Sequence, residues 1–74
     1  MIIILKPNID KQGVDYRSIM DYLARLPGIQ VRLHEEVGAQ QVLTELYLIG
    51  NTAPLSKEEI HTLPGVERVV RVSE

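Results

Sequence analysis

The sequence has no cysteine, no tryptophan and no phenylalanine, and it carries no excess of basic charge. Each absence excludes a class of protein. Without Cys there is neither a disulfide scaffold nor a thiolate metal site. Eight Lys and Arg stand against ten Asp and Glu, a formal net charge of −2. That balance argues against a phosphate-backbone binder, which needs a clustered basic surface. No apolar run approaches the ~20 residues of a membrane span. Met1 to Leu5 is apolar but lacks the basic lead and long apolar stretch of a signal peptide, so the expected compartment is the cytoplasm.

What is present is the composition of one small folded domain: 74 residues, 45% hydrophobic and 24% charged. A chain of this length buries only about 60% of the surface its unfolded form exposes. Little material remains for a deep catalytic cleft. The expectation is a single domain over residues 1–74 that binds, regulates or docks, and is not by itself an enzyme.

The chain contains a repeat. Leu26-Pro27-Gly28-Ile29 and Leu63-Pro64-Gly65-Val66 lie 37 residues apart, half the chain length. Each phrase follows helical signals and precedes strand signals, and Pro-Gly stops a helix. The pattern reads as a duplicated supersecondary unit.

In the first half, Ile2-Ile3-Ile4-Leu5 is a short β-branched run bounded by Lys6-Pro7-Asn8. Apolar on both alternating faces, it predicts a central strand. A helix follows from about Val14 to Leu26, with Tyr16, Ile19, Met20 and Leu23 on one face and Asp15, Arg17, Ser18 and Asp21 on the other. Asp10 or Asn8 is expected to cap the turn before it. Ile29 to His34 alternates strictly, as a half-buried strand does. Segment 34–41 joins the halves, and Gly38 marks a hairpin loop.

In the second half, Val42 to Ile49 predicts a strand ended by Gly50-Asn51. Ser56-Lys57-Glu58-Glu59 has the form of a capping box, so Ser56 should cap a short helix from Lys57 to Thr62. Val66 to Val72 predicts the last strand. The order βαββαβ gives an α+β ferredoxin-like fold, a four-stranded antiparallel sheet with two helices on one face.

The other sheet face is then bare. Strict alternation sends Gln30, Arg32 and His34 outward from the second strand, and Glu45, Tyr47 and Ile49 outward from the third. On the fourth it sends Glu67, Val69 and Arg71 outward, with Val66, Val70 and Val72 inward. Arg68 breaks that last alternation. An apolar patch around Tyr47, Ile49, Val69 and the first strand, rimmed by charge, has the make-up of a docking surface.

Other chemistry is thin. His34 and His61 lie on different elements with no metal-ligand spacing, so no metal site is expected in this domain. His34, beside Glu35 and Glu36, is a candidate pH-sensitive group. For His61 a polar position on a short helix suffices. No phosphate-binding glycine motif is present, and Ser18 and Ser56 have no local base. Glu58 and Glu59 suit a helix N-terminus. RNA-recognition modules of this topology stack bases on aromatics of the two central strands, where this chain offers Tyr47 alone. A copper chaperone of the same fold needs paired Cys.

Met1-Ile2-Ile3-Ile4-Leu5-Lys6-Pro7 resembles the opening of the class I-beta 3-deoxy-D-arabino-heptulosonate 7-phosphate (DAHP) synthases. Leu48-Ile49-Gly50-Asn51 resembles that family's Ile-Gly-Asp-type strand end. Leu63 to Val72, Leu-Pro-Gly-Val-Glu-Arg-Val-Val-Arg-Val, resembles its last strand. Many of these enzymes carry a small ferredoxin-like domain ahead of a (β/α)8 catalytic barrel. The resemblance implies that the chain is an excised regulatory domain. Its parent would condense phosphoenolpyruvate with erythrose 4-phosphate, the first step of the shikimate pathway, using a divalent metal held in the barrel. No cofactor and no catalytic residue would belong to this domain. Its partners would be the barrel, further copies in a homo-oligomer and an aromatic amino acid, tyrosine or phenylalanine, that exerts feedback inhibition.

In the family, a His and, two residues later, a Ser on the outward face of the second strand contact the effector. The matching positions here are Arg32 and His34, a departure from that pattern. Arg32 would pair with the effector carboxylate through its planar fork. His34 would hydrogen-bond a phenolic hydroxyl, and Tyr47 completes the expected effector-binding set. The resemblance also makes the loop over residues 35–41 longer than in some relatives. Two other readings of the same features are a docking or oligomerisation module without a ligand, and a stand-alone ACT-like small-ligand sensor. The latter usually has a Gly-rich turn where this chain has Lys6-Pro7-Asn8.

Overall fold

Four strands form one sheet, and burial along them is uneven: Leu33, on the side expected to face the helices, is 51% exposed and Val37 73%. In the computed structural model, which describes residues 1–71, the strands are β1 (Ile2–Leu5), β2 (Ile29–Val37), β3 (Val42–Gly50) and β4 (Val66–Val70). Two helices intervene, α1 (Val14–Ala24) and α2 (Lys57–His61). The strand order is β2-β3-β1-β4 and every pairing is antiparallel, so the expected ferredoxin-like plan is observed and the all-apolar β1 is central. The predicted end of β4 at Val72 lies outside the described residues.

The core sits between the sheet and the helices. Ile3 and Leu5 from β1, Leu46 from β3, Ile19 and Leu23 from α1, and Ile60 from α2 are all fully buried. Each such side chain contributes about 1.5–3 kcal/mol. Tyr16 and Met20 flank the same stripe of α1, as the helical spacing predicts. The repeat is structural: both helices end at the Leu-Pro-Gly phrase, and Gly28 and Gly65 take positive φ values of 73° and 89°.

Three local expectations change. The cap of α1 is Gly13, without a side-chain bond. Asp10 instead accepts from the Gln12 N–H at 2.9 Å and shapes the preceding turn. Asn8 exchanges two bonds with the Val42 backbone, which tie the β1–α1 loop to the start of β3. The joining loop is also shorter than expected. β2 continues to Val37, which pairs with Val42, and only residues 38–41 turn the chain. Glu35-Glu36 carries no β signal, so ladder pairing with β3 and not local propensity extends the strand.

The third change is a β-bulge. Leu5 pairs with Val66 but Ile4 pairs with Arg68, so Glu67 is an extra residue on β4. The alternation reverses beyond it. Val69 is buried at 4% exposure, opposite Ile3, and Val70 at 36% faces outward opposite Ile2. The inward assignment of Val70 and outward assignment of Val69 are thus corrected, and Arg68 ceases to be an exception. His61 holds the bulge, its Nε2 lying 3.3 Å from the Glu67 carbonyl oxygen. Arg71 is not part of the open face either. Its guanidinium donates to the carbonyls of Thr52 and Leu55 and fastens the loop before α2.

Ser56 caps α2 as expected, accepting from the Glu59 N–H at 3.2 Å. The carboxylate of Glu59 does not reach back to close the box. It accepts from the Tyr22 hydroxyl at 3.1 Å and so links α2 to α1. Burial first, then the hydrogen bond and negative charge of Glu59, push the Tyr22 phenol above its ordinary 10.0. The folded state therefore holds this proton more tightly than the unfolded chain. The linked stability is complete below pH 10 and is lost as pH rises through the higher folded value. Tyr22→Phe should remove this part of the alkaline loss, read by urea denaturation across the alkaline range. An unchanged alkaline profile would exclude the linkage.

Candidate functional site

The open sheet face is ordered in cross-strand rows, because directly paired residues of an antiparallel sheet share a face. One row runs Arg32–Tyr47–Ile2–Val70 across all four strands. The next runs His34–Glu45–Ile4–Arg68. Gln30 with Ile49, and Glu36 with Leu43, extend the face on either side. Tyr47 and Ile49 are 37% and 44% exposed, so the apolar centre is open to solvent.

The structure brings Arg32, His34 and Tyr47 together. Arg32 is the direct partner of Tyr47, and the His34 and Tyr47 rings lie 6.1 Å apart and tilted. A guanidinium thus stands at one end of an apolar row, with an imidazole beside the aromatic ring. The row can take a ligand that is apolar in its middle and anionic at one end. Ile2 and Val70 complete its floor, and Ile4 lies in the row beside it. Val70 replaces the expected Val69, and the signal in the sequence was Arg68, whose break in alternation marks the bulge.

Two further features were not legible residue by residue. Donor atoms of His34, Glu36 and Glu45 all lie within 4.8 Å of one another on the open face. Glu45 comes from a different strand, so no local spacing announces the cluster. A groove at the free edge of β4 is lined by Lys57, Glu58 and His61 from α2 together with Arg68, Val70 and Arg71.

The whole chain, residues 1–74, matches the sequence profile of the DAHP synthase ferredoxin-like domain. The chain belongs to that family. The match spans both halves of the repeat and the complete βαββαβ order, so the fold and the family assignment agree. A search of curated proteins finds no match to this DAHP synthase domain. Among the described residues no helix is long and apolar enough to cross a membrane.

Proposed function

We propose that this domain regulates a DAHP synthase by binding an aromatic amino acid, tyrosine or phenylalanine, on the open sheet face. The parent enzyme condenses phosphoenolpyruvate with erythrose 4-phosphate in a (β/α)8 barrel that holds the divalent metal. The domain supplies feedback inhibition and no catalytic residue. One observation carries this reading: the row Arg32–Tyr47–Ile2–Val70 with His34 beside Tyr47.

The row meets the needs of an aromatic amino acid in turn. Arg32 offers two parallel N–H donors to the α-carboxylate. Ile2, Tyr47 and Val70 offer an apolar floor to the ring. His34 offers a partner to a phenolic hydroxyl. The face is flat, and small-molecule sites are concave, so a second surface has to close over the ligand. A second copy of the domain in the homo-oligomer, or the barrel, provides it. The effector then favours the arrangement in which both surfaces hold it, by binding that arrangement more tightly. A coupling of ~1–3 kcal/mol corresponds to roughly 5–150-fold modulation.

An amide NMR titration with tyrosine, phenylalanine and tryptophan in turn tests the reading. Shifts clustered at Arg32, His34 and Tyr47 are expected with one of them, and Arg32→Ala should abolish them. No shifts in the domain, together with unaltered activity of the full-length synthase at saturating amino acid, would refute it. A second reading, a docking module without a ligand, draws on the apolar run Tyr47–Ile2–Val70 over three strands. It requires that deleting the domain change assembly or activity without changing sensitivity to aromatic amino acids.

A further inference from the structure

We infer that His34, Glu36 and Glu45 form a divalent transition-metal site on the open sheet face, taking Zn²⁺ or an ion of like chemistry. The backbone builds it. His34 and Glu36 are two apart on β2 and so share a face, and Glu45 on β3 is the direct partner of His34. Three donors therefore converge from two paired nine-residue strands, with no loop involved.

The distances suit a metal. His34 Nε2 and Glu36 Oε2 are 3.7 Å apart, and all three donors lie within 4.8 Å of one another. Ligands of a tetrahedral Zn²⁺ stand roughly 3.3 Å apart, given bonds of about 2.0–2.1 Å. Side-chain rotation alone closes the difference. The donor set of one nitrogen and two carboxylates suits Zn²⁺, Co²⁺ or Ni²⁺, whereas Mg²⁺ and Ca²⁺ favour oxygen alone. Two carboxylates also neutralise a divalent ion.

Arg32, two residues before His34, shares the face of the cluster, and Arg68 ends the row of His34 and Glu45. Among the described residues, no Lys or Arg forms an ion pair with Glu36 or Glu45. The nearby Lys11 is committed to Glu35, which points to the other side of the sheet. His34 and Glu36 are exposed and Glu45 is half-buried, leaving coordination positions for water or for a ligand from a second molecule. The cluster shares His34 with the proposed effector row, so a bound metal and an effector hydroxyl would compete for that imidazole.

The test is a titration of the chain with Zn²⁺, and separately with Mg²⁺, at about pH 7.5, where an imidazole is free to ligate. No amino acid is present, so its failure and that of the effector reading are distinguishable. Saturable Zn²⁺ binding by calorimetry is expected, with shifts of the His34 ring resonances and none from equimolar Mg²⁺. His34→Ala and Glu45→Gln should each weaken it roughly tenfold or more, at least the loss that follows removal of groups supporting a metal site. These residues are outside the core, so both variants should keep the wild-type circular dichroism spectrum. His61→Ala should leave Zn²⁺ binding unchanged. Absence of saturable binding, equal response to Mg²⁺, or binding indifferent to His34→Ala and Glu45→Gln would overturn the assignment.

Discussion

Val69→Asp is expected to abolish folding, while its neighbour Val70→Asp folds. Val69 is 4% exposed and packs opposite Ile3, so an Asp there loses about 1.5–3 kcal/mol of apolar burial. It also buries a polar group without a partner, at roughly 2–7 kcal/mol. A chain of 74 residues has roughly 4–11 kcal/mol of stability to lose. Val70 is 36% exposed, and a substitution there should cost within about 1 kcal/mol. Circular dichroism and urea denaturation of the two variants decide the matter. Strict alternation along β4 predicts the reverse outcome, so two equally folded variants, or a folded Val69→Asp alone, would refute the bulge. The pair also bears on function. Val70→Asp sets a carboxylate into the apolar row and should weaken binding of an aromatic ring there without unfolding the domain.

Gly50→Ala is expected to cost about 2–6 kcal/mol, the sum of backbone strain and overpacking. Gly50 closes β3 at φ 128°, a conformation in which side chains are strained. A Cβ there would run into the carbonyl oxygen of Gly28, which is backbone and has no rotamer to yield. Gly28→Ala is the internal control. Its φ of 73° carries the left-handed penalty, about 1–2 kcal/mol, but nothing lies within 4 Å of the added Cβ. Thermal melts should therefore place Gly50→Ala lower than Gly28→Ala. In a domain of this size each kcal/mol lowers Tm by roughly 4–8 °C, so the expected fall for Gly50→Ala is at least about 10 °C. Equal melting temperatures would show that the close approach of residues 28 and 50 does not constrain the fold. This contact joins the start of β2 to the end of β3, and so helps fix the register that sets Arg32 opposite Tyr47.

The His34–Glu36–Glu45 cluster and the row Arg32–Tyr47–Ile2–Val70 differ in how far the sequence announces them. Arg32, His34 and Tyr47 were legible because β2 and β3 alternate without interruption over those residues, and alternation alone assigns their face. The first strand was legible as part of the same patch, but the pairing of Tyr47 with Ile2 and the place of Val70 were not, since pairing partners come from other strands. Glu36 was hidden for another reason. It sits where local propensity favours a loop, and only the ladder with β3 draws residues 35–37 into the strand.

The sequence by itself determined the order βαββαβ, the apolar stripe of α1, the Ser56 cap and the helix stops at both Leu-Pro-Gly phrases. These follow from periodicities of 3.6 and 2 residues and from backbone preferences of Pro, Gly and Ser, which act locally. Only the tertiary structure decided the phase of β4, the length of the β2–β3 hairpin, the Tyr22–Glu59 link and the meeting of His34, Glu36 and Glu45. Each depends on which residue of one element stands opposite which residue of another. That register is set by the packing of the whole sheet against its helices, and one extra residue such as Glu67 reverses every face beyond it.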